Sequence, residues 1–449
     1  MLSILVSRRA ILVVSISTSA FVVTQAPAFG DVRYVRATAS GTNDGSSWAN
    51  AFTGVAAALN AAQSGDQIWV ASGTYTPAPP GGSRNSSFEL KAGVSMFGGF
   101  AGVETWLAER NFVANPTILS GDLNGNDSPA TFDWTNHGEN SYHVVRASGV
   151  GANTVLDGFV IRGGYADTPA PTDPYNGTGG GIAVSGGGPT GIHLRIEDNY
   201  ALRGGGAADA TLKRCTITSN QAQRGGGVHA SVISLEGCRM FANRATIEGS
   251  AVKLLFGNGS SIANCLVYGN IGPNAAIHGE YVGGRVVNCT VAYNQATSAV
   301  CAGISDFGEA NGLLVENSIL WGNRGTSGPL EVQQIAGSGG YMNVYEGLSE
   351  PDWGGNIGSD PLFRDPDGAD QVIGTSDDDY RLVFPSPSID SGNNAFVPSG
   401  LVTDLAGRPR FVDEPLVPDG GSGLAPVVDR GAHEMSRTIV PRSRRTQVP

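Results

Sequence analysis

Two acid-rich stretches carry the side chains best suited to chemistry. The first is Asp122-Leu123-Asn124-Gly125-Asn126-Asp127, in which oxygen-bearing residues alternate around a glycine turn, as at the start of a calcium loop. The twelfth position of such a loop holds Asp133, where an EF-hand needs glutamate. The second stretch sets Asp365, Asp367 and Asp370 close to Asp377, Asp378 and Asp379. So many carboxylates repel one another unless a cation or solvent screens them. Each stretch therefore reads either as a calcium site or as a solvated acidic turn. No other cofactor is required. The histidines (His137, His143, His193, His229, His278 and His433) show no metal-ligand spacing. There is no nucleophile elbow, P-loop or strand-linked dinucleotide fingerprint.

A repeat must position these groups. Asn199, Asn220, Asn243, Asn270, Asn294 and Asn323 each follow a large apolar residue by three positions (Ile196, Ile217, Met240, Val267, Val291 and Leu320). The steps between them are 21, 23, 27, 24 and 29 residues, the period of a stacked solenoid whose coils bury each other's faces. The asparagines are expected to form a structural ladder, taking left-handed geometry and hydrogen-bonding along the stack. Glycine clusters fall in register at Gly179–Gly181, Gly204–Gly206 and Gly225–Gly227, where positive φ would turn a corner. Arg203 and Arg224 each lie four residues after a ladder asparagine, so they should stack one coil apart. At about 5 Å, two such charges could grip an anionic sugar, splay into solvent or pair with nearby acids. Leu194-x-Ile196-x-x-Asn199-x-x-Leu202 also fits part of a leucine-rich repeat. The other coils lack those leucines, and triple glycines would break a helix.

The ends need caps, because an open coil exposes backbone and apolar core. Phe52 to Ala62 is alanine-rich, with Phe52, Val55, Ala56 and Leu59 at helical spacing, and Gly65 can terminate it. Strands are expected at Tyr34–Arg36, Gln67–Val70, Val94–Phe97, Thr117–Leu119, His143–Arg146 and Val155–Ile161. The proline-rich insertion from Asp167 to Thr178 should loop out of the first regular coil, where function tends to sit.

Composition narrows the class. Glycine is 65 of 449 residues without a collagen period, and 40% hydrophobic content argues against disorder. Residues 1–28 read as an export signal: Arg8 and Arg9, an apolar run from Ile11 to Val23, then Ala26-Pro27-Ala28. Ser7 to Leu12 also resembles a twin-arginine signal. No later segment could span a bilayer. The formal charge is −12; the signal holds two arginines and no acid, so its removal leaves −14. A body this acidic repels nucleic acid and anionic lipid. Cys215, Cys238, Cys265 and Cys289 occupy one repeat position and alternate with apolar residues, so they point inward. Buried free thiols are the favoured reading, with disulfides between coils still within reach.

The apolar-x-x-Asn segment followed by Gly-Gly-[Ala/Val/Ile] resembles the repeats of polymorphic outer-membrane proteins, with Ile, Met, Val or Leu in place of their Phe. The opening Gly45-Ser46-Ser47-Trp48-Ala49-Asn50-Ala51-Phe52 and Gly65-Asp66-Gln67-Ile68-Trp69-Val70 is similar to exported right-handed parallel β-helices of the pectin-lyase-like superfamily. The C-terminal part resembles a choice-of-anchor Q region, through Asp360-Pro361-Leu362-Phe363, Ser386-Pro387-Ser388-Ile389-Asp390-Ser391-Gly392, Asp404-Leu405-Ala406-Gly407-Arg408-Pro409-Arg410 and Val428-Asp429-Arg430-Gly431-Ala432-His433-Glu434. Thr438 to Pro449 is neither apolar nor glycine-bridged, so no anchor is expected there. The resemblance implies a right-handed coil. It also implies that any catalytic residues lie on the outer face of stacked strands, with carboxylate-bound calcium and a basic residue in lyases, or paired carboxylates in hydrolases. Asp157, Arg162, Glu197, Asp198, Arg203 and Arg224 are the candidates.

The expected architecture is all-β, one right-handed parallel β-helix with an N-terminal helical cap. Residues 1–28 would be the signal, 29–112 the cap and first coils, 113–345 the regular helix, 346–435 a β-rich choice-of-anchor Q-like region and 436–449 a basic disordered tail. The expected role is structural, adhesive or glycan-binding at the cell envelope or outside the cell, in a monomer without catalysis. A polysaccharide or other surface polymer is the expected partner. The alternative is a carbohydrate-active lyase or glycosidase. Convergence of outward acids and arginines in one cleft would favour the enzyme; scatter would favour the binder.

Overall fold

The computed structural model describes residues 30–128, 130–168, 177–307, 312–337, 339–348 and 354–435. The expected export signal, the basic tail and most of the proline-rich insertion lie outside them. Four parallel sheets build the solenoid: sheets of eleven, ten and nine strands run along it, and one of six strands lines the middle coils from Tyr165–Ala166 to Gln295–Ala296. One coil shows the plan. Thr190–Ile192 lies in the eleven-stranded sheet, Arg195–Glu197 in the ten-stranded sheet, Tyr200–Arg203 in the six-stranded sheet and Ala207–Ala208 in the nine-stranded sheet. The next coil repeats it in register, Ile196 over Ile217 and Ala201 over Ala222. These inward residues form a continuous column with Met240, Val267, Val291 and Leu320, all 0% exposed. Each coil supplies the apolar surface that its neighbour buries.

The asparagine ladder is present. Asn199 N–H and Nδ2 donate to Asn220 Oδ1 at 3.2 and 3.0 Å, and the pattern passes through Asn243, Asn270 and Asn294 to Asn323. It ends on Gln334, whose Oε1 accepts from both nitrogens of Asn323. Gln334 lies on a helix, Leu330–Gln334, in a region expected to hold none. The left-handed residue is one position earlier than expected: Asp198, Ser219, Ala242, Gly269, Tyr293 and Gly322 have φ between 51° and 69°. The asparagine itself stays extended enough to send its amide along the stack. The first glycine of each cluster does turn a corner, with φ of 65° at Gly204. The second is required by close approach: a Cβ on Gly205 would sit 2.4 Å from the Gln221 carbonyl oxygen.

The cysteines form a second column. All are free and buried, and their sulfurs accept backbone N–H groups of the preceding coil: Leu194 to Cys215, Cys238 to Cys265 and Cys265 to Cys289, each at 3.4 Å. Ser318 and Asn343 take over the position in later coils.

The N-terminal cap is a helix over Val55–Ala61 that buries Val55, Ala58 and Leu59 against the core. It is shorter than the expected Phe52–Ala62, because Phe52 bridges to Val35 as strand. Gly65 turns the chain after the helix without capping it; Ala62 is the cap. The expected strand Val155–Ile161 is two, split at the corner by Gly158 with φ of 81°.

The C-terminal region departs most from expectation. Instead of being β-rich, its described residues from 354 onward form one antiparallel pair, Phe363–Asp365 with Asp379–Leu382, and are otherwise irregular. The region folds back along the solenoid. It docks on Asn264, Asn288 and Asn317, left-handed corner residues of three successive coils. Their amides donate to the carbonyls of Thr403, Asp429 and Asn393. Tyr380 packs on Tyr268, and Leu382 and Ile389 pack around Ile319. The outer face of the ten-stranded sheet is thereby covered from Phe241 onward and left open before it.

Candidate functional site

The open stretch of that face becomes a cleft of about 530 Å³. Its floor is Ser120 paired with Arg162, then the corner at Asp198. Its wall is the loop carrying Asp122 and Asp127, with His137 behind. The loop holds its shape through Asp122, whose carboxylate accepts from the N–H groups of Gly125, Asn126 and Asp127. That is an Asx-type turn from a residue type that favours one.

Two carboxyls in the cleft are perturbed. Burial pushes Asp127 up to about 6 against the opposing hydrogen bond from Asn140, and the charges of Asp122 and Glu139 add to the rise. Burial also pushes Asp198 up to about 6, helped by the charge of Glu197 and opposed by Arg162. Asp198 Oδ1 is buried without a hydrogen-bond partner. His137 Nδ1 lies 3.0 Å from the Thr135 carbonyl, so it carries a hydrogen. Its Nε2 is 3.3 Å from Asp127 Oδ2, a contact that needs one further proton on either the imidazole or the carboxyl. Beside it, the half-buried rings of Trp134, Tyr165 and Tyr200 pack with centroids 5.0 to 5.9 Å apart.

The sequence candidates are only partly brought together. Arg162 and Asp198 line the cleft. Glu197 adjoins Asp198 and is paired with Arg195. Asp157 is buried elsewhere, 2.6 Å from Arg110 and 3.1 Å from His193; those hydrogen bonds outweigh its burial and hold it below the usual carboxylate range. Arg203 and Arg224 do stack in register, but at the C-terminal ends of the second and third strands of the six-stranded sheet and outside the cleft lining, where Arg224 pairs with Glu248 at 2.6 Å. His137, Glu139 and Asn140 escaped the sequence reading. Their signal is tertiary, since a short helical turn brings them to the Asp122 loop.

The second acid cluster is divided. Asp370, Asp377 and Asp378 converge, but their neighbours already occupy them: Asp377 Oδ2 accepts from Ala369 and Asp370 N–H groups, and Asp378 Oδ2 from Gly374. Asp379 pairs with Arg381 instead, and Asp365 and Asp367 stand outside the convergent group. A further convergent set, Glu248, His278 and Glu280, encloses the fully buried Lys253, whose Nζ lies 3.2 and 2.9 Å from the two carboxylates. The ammonium stands where a cation would.

Comparison with known proteins agrees with this architecture. The family described as right handed beta helix region matches residues 175–340. The chain is similar in fold to the solved pectate lyase Pel9A, with a TM-score of 0.47 and 15% identity over 91% of this chain and 97% of that one. It is also similar to a rhamnogalacturonan lyase, with a TM-score of 0.44 and 14% identity over 79% and 97%. A search of curated proteins finds no match. The molecule is an all-β, right-handed parallel β-helix. No helix among the described residues is long and apolar enough to cross a membrane.

Proposed function

We propose that the protein is an exported cell-envelope or extracellular β-helix that binds a glycan in the cleft. The observation that carries this reading is the gathering of Asp127, His137, Arg162 and Asp198 in one cleft, with the rings of Trp134 and Tyr165 packed against His137. Carboxylates and a guanidinium bond the polar groups of sugars. Strands repeating about every 4.8 Å offer equivalent contacts to a polymer. The net charge of −12 weighs against a nucleic acid.

A second reading, glycan cleavage, is favoured by one observation: both raised carboxyls face one cleft. A carboxyl near 6 can give a proton to a leaving glycosidic oxygen, with Asp127 and Asp198 as the pair in a hydrolase or Arg162 as the base in a lyase. A panel of neutral and uronate polysaccharides, offered to residues 29–449 with and without calcium, separates the readings. Binding without new reducing ends or unsaturated products supports the binder. Either product, lost in Asp198→Asn, establishes the enzyme. Neither binding nor cleavage would sink both.

A further inference from the structure

We propose that Asp122, Asp127 and Glu139, with Asn140, hold one calcium ion in the wall of the cleft. One oxygen from each of the three carboxylates lies within 4.8 Å of the others. Two oxygens on one calcium, each at about 2.3–2.6 Å from it, are no farther apart than roughly 5 Å. The loop brings the acids together, and no lysine or arginine pairs with them among the described residues. The one base in contact, His137, reaches Asp127 Oδ2 and leaves the other oxygen free.

Unmatched oxygens point to the ion independently. Asp127 Oδ1, Glu139 Oε1 and Asn140 Oδ1 are all buried without a hydrogen-bond partner. Asn140 is 0% exposed, and its Nδ2 donates to Asp127 Oδ2 and to the Gly163 carbonyl, both at 2.8 Å. Those two acceptors set the amide's orientation, so its oxygen is left without a donor beside the acids. Interiors rarely leave one such atom unmatched, and a cation accounts for three. The ligands are hard oxygens on irregular loops, which suit calcium's flexible shell better than the strict octahedron of magnesium. Asp370, Asp377 and Asp378 make the contrast. They converge as closely, and like Asp122 they accept backbone donors, but none of their buried oxygens is unmatched.

The ion and the glycan of the proposed function would share Asp127, and the test reads the ion alone. Chelator-treated protein is titrated with calcium and magnesium by calorimetry, and with terbium by emission excited through tryptophan. Trp134 is the antenna, its ring 5.1 Å from that of His137. We expect one calcium site with weaker magnesium binding, weakened by about tenfold or more in Asp127→Asn and in Glu139→Gln. Asp377→Asn should leave it intact, and Trp134→Phe should remove most of the terbium emission. No calcium binding, equal affinity for magnesium, or unchanged affinity in both carboxamide variants overturns the proposal. If those variants fail to fold, terbium emission that persists in Trp134→Phe places the ion elsewhere and overturns it equally.

Discussion

In the coils the buried polar groups that repeat are amides and thiols; in the C-terminal clasp the buried polar groups are mostly ionisable. The rungs Asn199 to Asn323 are at most 1% exposed; each bonds along the stack, and Asn199, Asn220, Asn243 and Asn270 also donate to the carbonyl two residues before them. The clasp buries Arg410 at 0%, Arg430 at 3%, Asp429 and Glu434 at 1% each. Arg410 Nη2 donates to the Gly431 carbonyl at 2.5 Å, its Nε lies 3.3 Å from Glu434, and Arg430 Nη1 donates to the Asn343 carbonyl at 2.7 Å. A neutral rung can be repeated without accumulating charge, so it suits a solenoid. A buried ion tolerates only the place that holds its partners, so it suits a segment that must dock once, in one register. The clasp in turn decides where the outer face is covered and where the cleft remains.

The largest effect should come from breaking the ionic side of this comparison. Arg410→Met takes the guanidinium from the buried Glu434 carboxyl and the donor from the Gly431 carbonyl, a loss of about 3–5 kcal/mol. It should be confined to the clasp. Limited proteolysis should cut within residues 354–435 while the coils keep their own melting transition, and Arg410→Met combined with Glu434→Gln should recover part of the loss. A single cooperative transition that shifts as a whole would show that clasp and coils are one unit.

Asn243→Ala tests the neutral side. It removes the acceptor of two Asn220 nitrogens and the donor to the Ile217, Phe241 and Asn270 oxygens. A loss of about 2–4 kcal/mol is expected, spread through the coils, because the stranded partners are themselves buried. Denaturant unfolding followed by far-ultraviolet dichroism reads it. A loss below about 1 kcal/mol would mean that the coils are held by apolar stacking alone.

The repeat made much of this visible in the sequence. Asn, Cys and the apolar position before each Asn recur in register, and period alone carries them to a stacked β fold. What was hidden depends on contacts between distant segments. Gln334 ends the asparagine ladder from a residue of another type, on a helix with no repeat signal. The left-handed corner shifts by one residue because Asp198, Ser219, Ala242 and Tyr293 share no side-chain property that marks it. In the site, Asp198, Arg162 and the Asp122 loop were legible. His137, Glu139 and Asn140 were not, because a tertiary turn gives them their role. Arg410 and Asp429 stand in the sequence only as members of a resemblance motif, and nothing in their types announces burial, since charge ordinarily means exposure.

The smallest effect separates the two regions by pH. Burial pushes Asp429 up to about 7, against the opposing N–H groups of Asp390 and Met435. A carboxyl raised in the folded state keeps a proton that the unfolded chain has already released. Its contribution is therefore complete below the unfolded value of about 4 and is lost as pH rises toward 7. Asp390, pushed to about 6 mainly by burial, and Glu434, also raised, act in the same direction. His433 acts oppositely, because burial lowers it and its neutral form is lost as pH falls; Asp404, held low by His433 and backbone donors despite burial, matters only in stronger acid. Comparing wild type with Asp429→Asn cancels the groups common to both. The variant should begin less stable, since an amide cannot accept from both the Asp390 and Met435 N–H groups. The gap should then narrow by about 1–2 kcal/mol from about pH 5 to about pH 7. It should do so in the clasp transition only, because the asparagine rungs carry no proton to lose. A constant gap would mean that Asp429 is ionised throughout and balanced by Arg410, making the clasp a compensated ion pair that pH does not loosen.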